Sequence, residues 1–172
     1  PFAAVTGVSG VSTAVIGGVQ TSDLTLTSGT SYILASQLYM NPGTTLTIPE
    51  GTSIYCLPGG PSGGASAIVI EKGATINAVG TASSPITMTS ILAESALYES
   101  ATAQTDTTTS TTTLGARGKW GGLIILGNAP TNIATTSEVE GISGYTYGGT
   151  DPNDDSGTLQ YVRVWHGGAI IG

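Results

Sequence analysis

Apolar positions in the first half of the chain recur at a fixed step of 22 residues. Leu24, Leu46 and Ile68 fall at that spacing, as do Leu26, Ile48 and Ile70, then Gly29, Gly51 and Gly73, then Tyr32, Ile54 and Ile76. The segments LTLTSGTSY, LTIPEGTSI and IVIEKGATI therefore share one template: two apolar residues two apart, a Gly three residues on, and another apolar residue three beyond it. Side chains of a strand alternate faces, so the first pair reads as a short strand with one inward face. The Gly allows φ > 0 and a turn, and the next apolar residue opens a second short strand. A unit this small cannot bury its own apolar face and has to stack on its neighbours. Near the end the template returns as Val162, Val164, Gly167 and Ile170. The pattern predicts an all-β chain, a parallel β-helix (β-solenoid) with rungs of about 22 residues and connecting loops of uneven length.

The same pattern divides the chain. Residues 1–22 are small, apolar and uncharged, and are expected to pair as a strand on the solenoid or on a neighbouring molecule. Residues 23–172 form the β-helix, in which NPG at 41–43 and PGGPSGG at 58–64 are turns or loops and Pro85–Thr89 a further strand. Within it, 91–117 reads as a Thr-rich insertion loop. The stretch 91–101 is the one place where a short helix is plausible. GKWGGLIILGNAP, residues 118–130, returns to strand.

Composition changes the picture in three ways. Charged residues make up 9% of the chain, too few for an all-helical surface, and no apolar run approaches the ~20 residues that span a bilayer. Four Lys or Arg against 11 Asp or Glu give a net charge of −7, a poor surface for nucleic acid. Lys72, Arg117, Lys119 and Arg163 share no obvious face. Cys56 stands alone and reads as a buried structural thiol. The Thr/Ser/Gly bias and scarcity of Lys point to an extracellular or cell-surface protein. The chain opens at Pro1 without a charged leader and stops at Gly172 inside a repeat, so it reads as a processed chain or a fragment. A further rung, of the same polypeptide or another molecule, is expected beyond it.

The segments GTTLTIPEGTSI, GTASSPITMTS, GKWGGLIILGNAPTN, VEGI, YGGTDPNDDSGTLQYVRV and WHGGAIIG resemble large secreted or surface-anchored right-handed parallel β-helix proteins of environmental bacteria and algae. The resemblance covers most of residues 24–172. It implies a right-handed, pectate-lyase-like architecture and brings no catalytic residues, since most such proteins have no defined activity.

Candidate chemistry is sparse. Asp151, Asn153, Asp154 and Asp155 in TDPNDDSG offer hard oxygen ligands of the kind Ca²⁺ takes, against the alternative of a solvated turn whose side chains cap backbone groups. The run Thr105, Thr107, Thr108, Thr109, Ser110, Thr111, Thr112 and Thr113 reads as an exposed loop and an O-glycosylation candidate, while no Asn-x-Ser/Thr sequon is present. Alternation turns Trp165 outward, an interface or glycan candidate that Tyr145 and Tyr147 could join, whereas Trp120, with Gly118 and Gly121 nearby, reads as core or loop packing. Ile170 and Ile171 join Trp165 as interface candidates on an uncapped rung. His166 is the lone histidine, and no triad spacing accompanies it. Thr25 and Thr47 begin a threonine ladder like those of ice-binding solenoids. At the 22-residue step that ladder breaks at Val69, and Thr27 gives way to Pro49 and Glu71, so no such face is expected. The leading functional expectation is a non-enzymatic extracellular structural protein that self-associates end to end, and the alternative is a carbohydrate-binding or polysaccharide-cleaving module.

Overall fold

In a computed structural model the described residues are 13–59, 64–91, 118–132, 137–169 and 171. Among these residues eleven of thirteen strands wind into a stack in which every pairing is parallel. They are β1 (Thr13–Gln20), β2 (Leu24–Thr25), β3 (Ser31–Met40), β4 (Thr45–Pro49), β5 (Ser53–Cys56), β6 (Ala67–Ile70), β7 (Thr75–Val79), β8 (Ile86–Ser90), β9 (Gly122–Ile125), β12 (Gly157–Gln160) and β13 (Val162–Val164). The other two, β10 (Ser137–Val139) and β11 (Ile142–Tyr147), form an antiparallel hairpin. The fold is a parallel β-helix.

Three faces follow from the pairings. Face 1 stacks β2, β4, β7 and β12. Face 2 stacks the first halves of β1 and β3 on β5, β8 and β13. Face 3 stacks their second halves on β6 and β9. Within residues 1–22, β1 lies parallel on β3.

The 22-residue step is the real register of the first two full rungs, where Leu24 pairs with Leu46 and Tyr32 with Ile54. The third copy of the template is out of phase. Ile68 pairs with Leu38, and Ile76 with Leu46, because the loop after Cys56 lengthens that rung. What recurs in sequence is a corner. In TSGT, NPGT, PEGT and EKGA the Gly is the third turn residue, at φ 67°, 82°, 70° and 84° respectively, and in the first, second and fourth the last amide returns to the first carbonyl. This is the conformation that type II turns reserve for Gly. Gly29 and Gly51 turn face 1 into face 2; Gly43 and Gly73 turn face 3 into face 1.

This register takes the Val69 break out of the threonine ladder, whereas Pro49 stays on face 1. Val69 lies on face 3, whereas the neighbour of Thr47 on face 1 is Asn77, and the neighbour of Asn77 is Thr158.

Alternation sends Leu46, Ile48, Ile54, Cys56, Ile68, Ile70, Ile76, Ile86 and Met88 into the bore, where they are buried with Leu34, Leu38, Met40 and Trp120. Thr47, between Leu46 and Ile48, points out and is half-buried. A second apolar cluster lies outside the bore. Ala67, Val69, Leu126 and Ile142 are buried there, with Tyr39, Ile124, Val139, Tyr145, Tyr147 and Ile171 packed around them. The hairpin therefore covers the outer side of face 3, which explains why every residue of β6 is buried.

Of the expected helix at 91–101 only Ile91 falls among the described residues, and the run Thr105–Thr113 and Ile170 lie outside them. Among the described residues no helix is long and apolar enough to cross a membrane.

Candidate functional site

Two concentrations of polar and aromatic chemistry stand out, one at the acidic loop and one where the hairpin meets the solenoid.

In the acidic loop the carboxylates serve the backbone. Asp151 Oδ1 accepts from the Asn153 amide and Asp155 Oδ1 from the Gly157 amide, at 2.9 and 2.8 Å, the self-capping that Asx turns use. Asp154 turns the other way, and its Oδ2 accepts from the Asn128 amide at 2.9 Å and the Ser156 hydroxyl at 3.4 Å. Those bonds, with Gly148 to Gly127 and Asp151 to Asn128, pin the loop to the chain leaving β9. Among the described residues no three Asp, Glu, His or Cys side chains gather as a metal site requires.

The second concentration had no signature in the sequence beyond Tyr145. A cleft of about 200 Å³ opens between the Gly73 corner and β11, lined by Pro42, Glu71, Lys72, Leu126, Gly144, Tyr145 and Thr146. Tyr145 stacks on Tyr39 with ring centroids 4.6 Å apart. The Tyr39 hydroxyl donates to Gln37 Oε1, and Gln37 Nε2 donates to the Ile171 carbonyl at 2.6 Å. Lys72 Nζ donates to the Gly148 carbonyl at 3.0 Å, tying the corner to the hairpin's exit. Burial raises the Glu71 carboxyl above the ordinary carboxylate value. Burial first, then Glu71 itself, raises the Tyr145 phenol. Tyr39 is raised by burial, then by Tyr145 and Glu71. A carboxylate beside two phenols and an ammonium is a compact hydrogen-bonding set on an aromatic floor.

The remaining candidates separate. Trp120 is fully buried and its Nε1 donates to the Trp165 carbonyl at 2.7 Å, so it is a core residue that ties β9's entry to the last rung. Trp165 is 48% exposed, with the Arg163 guanidinium 5.7 Å from its ring centroid. Tyr147 and Ile171 pack in the outer cluster. His166 Nδ1 lies 2.8 Å from the Thr89 hydroxyl, and His166 takes φ 62°, so the left-handed residues of this corner are His166 and Gly168 and not Gly167. Cys56 is buried among bore residues, and its thiol is pushed far above the ordinary value by that burial. Glu71 and Lys72 sit at the Gly73 corner, and the hairpin folding over them makes the cleft.

Residues 18–172 match the family model of the pectate-lyase-like β-helix domain. The chain belongs to that family. No curated protein and no solved structure matches it. Membership in the pectate-lyase-like β-helix family carries the architecture, whereas activity has to be argued from the side chains each member mounts on it.

Proposed function

We propose that this β-helix is a non-enzymatic structural module of an extracellular or cell-surface assembly, such as a filament, appendage or adhesive layer. The observation that carries the reading is the face presented along the axis by the last rung. Leu159, Val162 and Val164 continue the inward columns of Ala78, Ile86 and Met88, and with Ile125 they leave aliphatic side chains open: Leu159 at 48%, Val164 at 45% and Ile125 at 37% exposure. Parallel strands extend by adding rungs, whether from further residues of the same polypeptide or from another molecule, and in the second case the contact is heterologous and propagates into a filament when it does not close. In this reading the Thr105–Thr113 run carries O-linked sugars, and Trp165 stands at the contact.

The test is assembly of the chain itself. Sedimentation and electron microscopy across a concentration series are expected to show head-to-tail oligomers, and Leu159→Lys with Val164→Lys is expected to return them to monomers. A native chain that stays monomeric throughout would contradict the reading.

One observation favours a second reading. The Glu71, Lys72 and Tyr145 cleft has the acceptor, donor and aromatic surface that a sugar ring uses, which supports a carbohydrate-binding role. Incubation with algal and plant polysaccharides separates the cases: retention without new reducing ends or unsaturated products means binding, and such products mean cleavage. Ca²⁺ at Asp151, Asn153, Asp154 and Asp155 is tested by the same preparations with and without chelator.

A further inference from the structure

The outward positions of face 1 form a grid. Thr25, Thr47, Asn77 and Thr158 lie in one column, in register from rung to rung. Thr45 and Thr75 form a second column, and Pro49, Val79 and Gln160 a third. Rungs are ~4.8 Å apart and same-side residues along a strand ~6.6 Å apart, so the grid is two-dimensional and regular. Thr is β-branched and stiff at χ1, which fixes its hydroxyl and methyl relative to the backbone. In a chain of net charge −7, none of these nine positions is charged. Asp23 lies in the second column one rung before Thr45, exposed, with its Oδ1 accepting from the Thr45 amide at 2.8 Å, so the neutral grid is bounded by that carboxylate at its first rung.

We propose that this face is an ice-binding plane. Hydroxyls repeated at rung spacing hold first-layer waters by hydrogen bonds, and the methyls between them oblige those waters to bond to one another. A charged side chain would orient water around itself and break the layer. The neutral grid is thus complementary to a neutral lattice of water. A crystalline polysaccharide is the other neutral hydroxyl lattice, but it is gripped through stacked aromatics. None of the nine grid positions is aromatic; Tyr55 and Trp165 point outward on face 2 and Tyr39 on face 3, while Tyr161, 53% exposed, stands alone among the described residues at the corner after Gln160. The inference is independent of the structural-module reading, since it concerns a flank and not the end of the stack.

The test uses the 172-residue chain in a nanolitre osmometer. The expected result is a gap between melting and freezing points that grows with concentration, with faceted crystals. Thr47→Tyr, at the centre of the grid, is expected to remove more than half of the gap, while Ser53→Tyr, outward on face 2, leaves it intact. Far-UV circular dichroism and melting of each variant establish folding. If Thr47→Tyr proves unstable, Thr158→Tyr on the exposed last rung takes its place. Round crystals and no gap from the folded native chain, or a gap unchanged by the folded face 1 variant, would overturn the proposal. Pull-down by crystalline cellulose or chitin that is lost in Thr47→Tyr, without any gap, would overturn it in favour of a polysaccharide.

Discussion

The Gly43 amide donates to the Gly73 carbonyl at 2.8 Å across one rung, although Gly73 stands one 22-residue step from Gly51 in the sequence. Gly51 instead donates to the Ser84 carbonyl at 3.0 Å. Two glycines of the same local template therefore occupy different corners of the helix. The chain counts corners, not rungs, and the loop that follows Cys56 shifts the phase.

The bore tolerates no charge. Ile48 and Ile70 are fully buried, on faces 1 and 3 respectively. Ile48→Asp or Ile70→Asp is expected to cost more than about 3 kcal/mol, because an unpaired carboxylate is buried. Thr47→Asp, pointing outward, should change the denaturation midpoint little. Equal losses in urea titrations would contradict the inward and outward assignment.

Gly corners and Gly contacts differ in cost. At Gly43, φ is 82° and an added Cβ meets nothing within 4 Å, so Gly43→Ala should lose only the left-handed penalty of about 1–2 kcal/mol. At Gly157 an added Cβ would collide with the Ile76 carbonyl oxygen, in a left-handed backbone with φ 121°. Gly157→Ala should cost clearly more and loosen the last rung, a difference that hydrogen exchange at Ile76 and Leu159 reads directly.

The corner repeat made the fold legible, since alternation plus Gly at a fixed offset has few other solutions. Membership of three faces was not legible, because the 22-residue step continues through Ile68 and Ile76 by coincidence of template, and only backbone pairing reveals the slip. Trp165 as outward was readable from alternation, whereas for Trp120 the sequence left core and loop packing open. The hairpin at 137–147 was not, since its apolar residues Val139 and Ile142 pack on the outer surface of another element. Glu71 and Tyr39 gained their chemistry from that same packing.

Thiol burial sets a pH dependence. Cys56 holds its proton more tightly folded than unfolded, so its contribution is complete below the ordinary thiol value and is lost as pH rises above it. Stability relative to Cys56→Ala should fall by up to about 1.4 kcal/mol per pH unit above about 8.5. A pH-independent difference would place the thiol in contact with solvent.

Glu71 acts in the same sense at lower pH. Its raised value means stability present below the ordinary carboxyl range and lost as pH rises through the folded value. Melting temperatures of the native chain should therefore drop from pH 4 to pH 7 more than those of Glu71→Gln. Identical profiles would remove Glu71 from the cleft.

The register on face 1 is the central claim, because the bore, the corners and the ice-binding plane all depend on it. It can be read by cross-linking in a Cys56→Ala background, since a disulfide needs Cα atoms about 4.4–6.8 Å apart. Thr47→Cys with Asn77→Cys should oxidise readily to an intrachain bond in the folded protein, and Thr47→Cys with Val69→Cys should stay reduced. Efficient closure of the Thr47 and Val69 pair, with the Thr47 and Asn77 pair left open, would restore the unbroken 22-residue register and contradict the account.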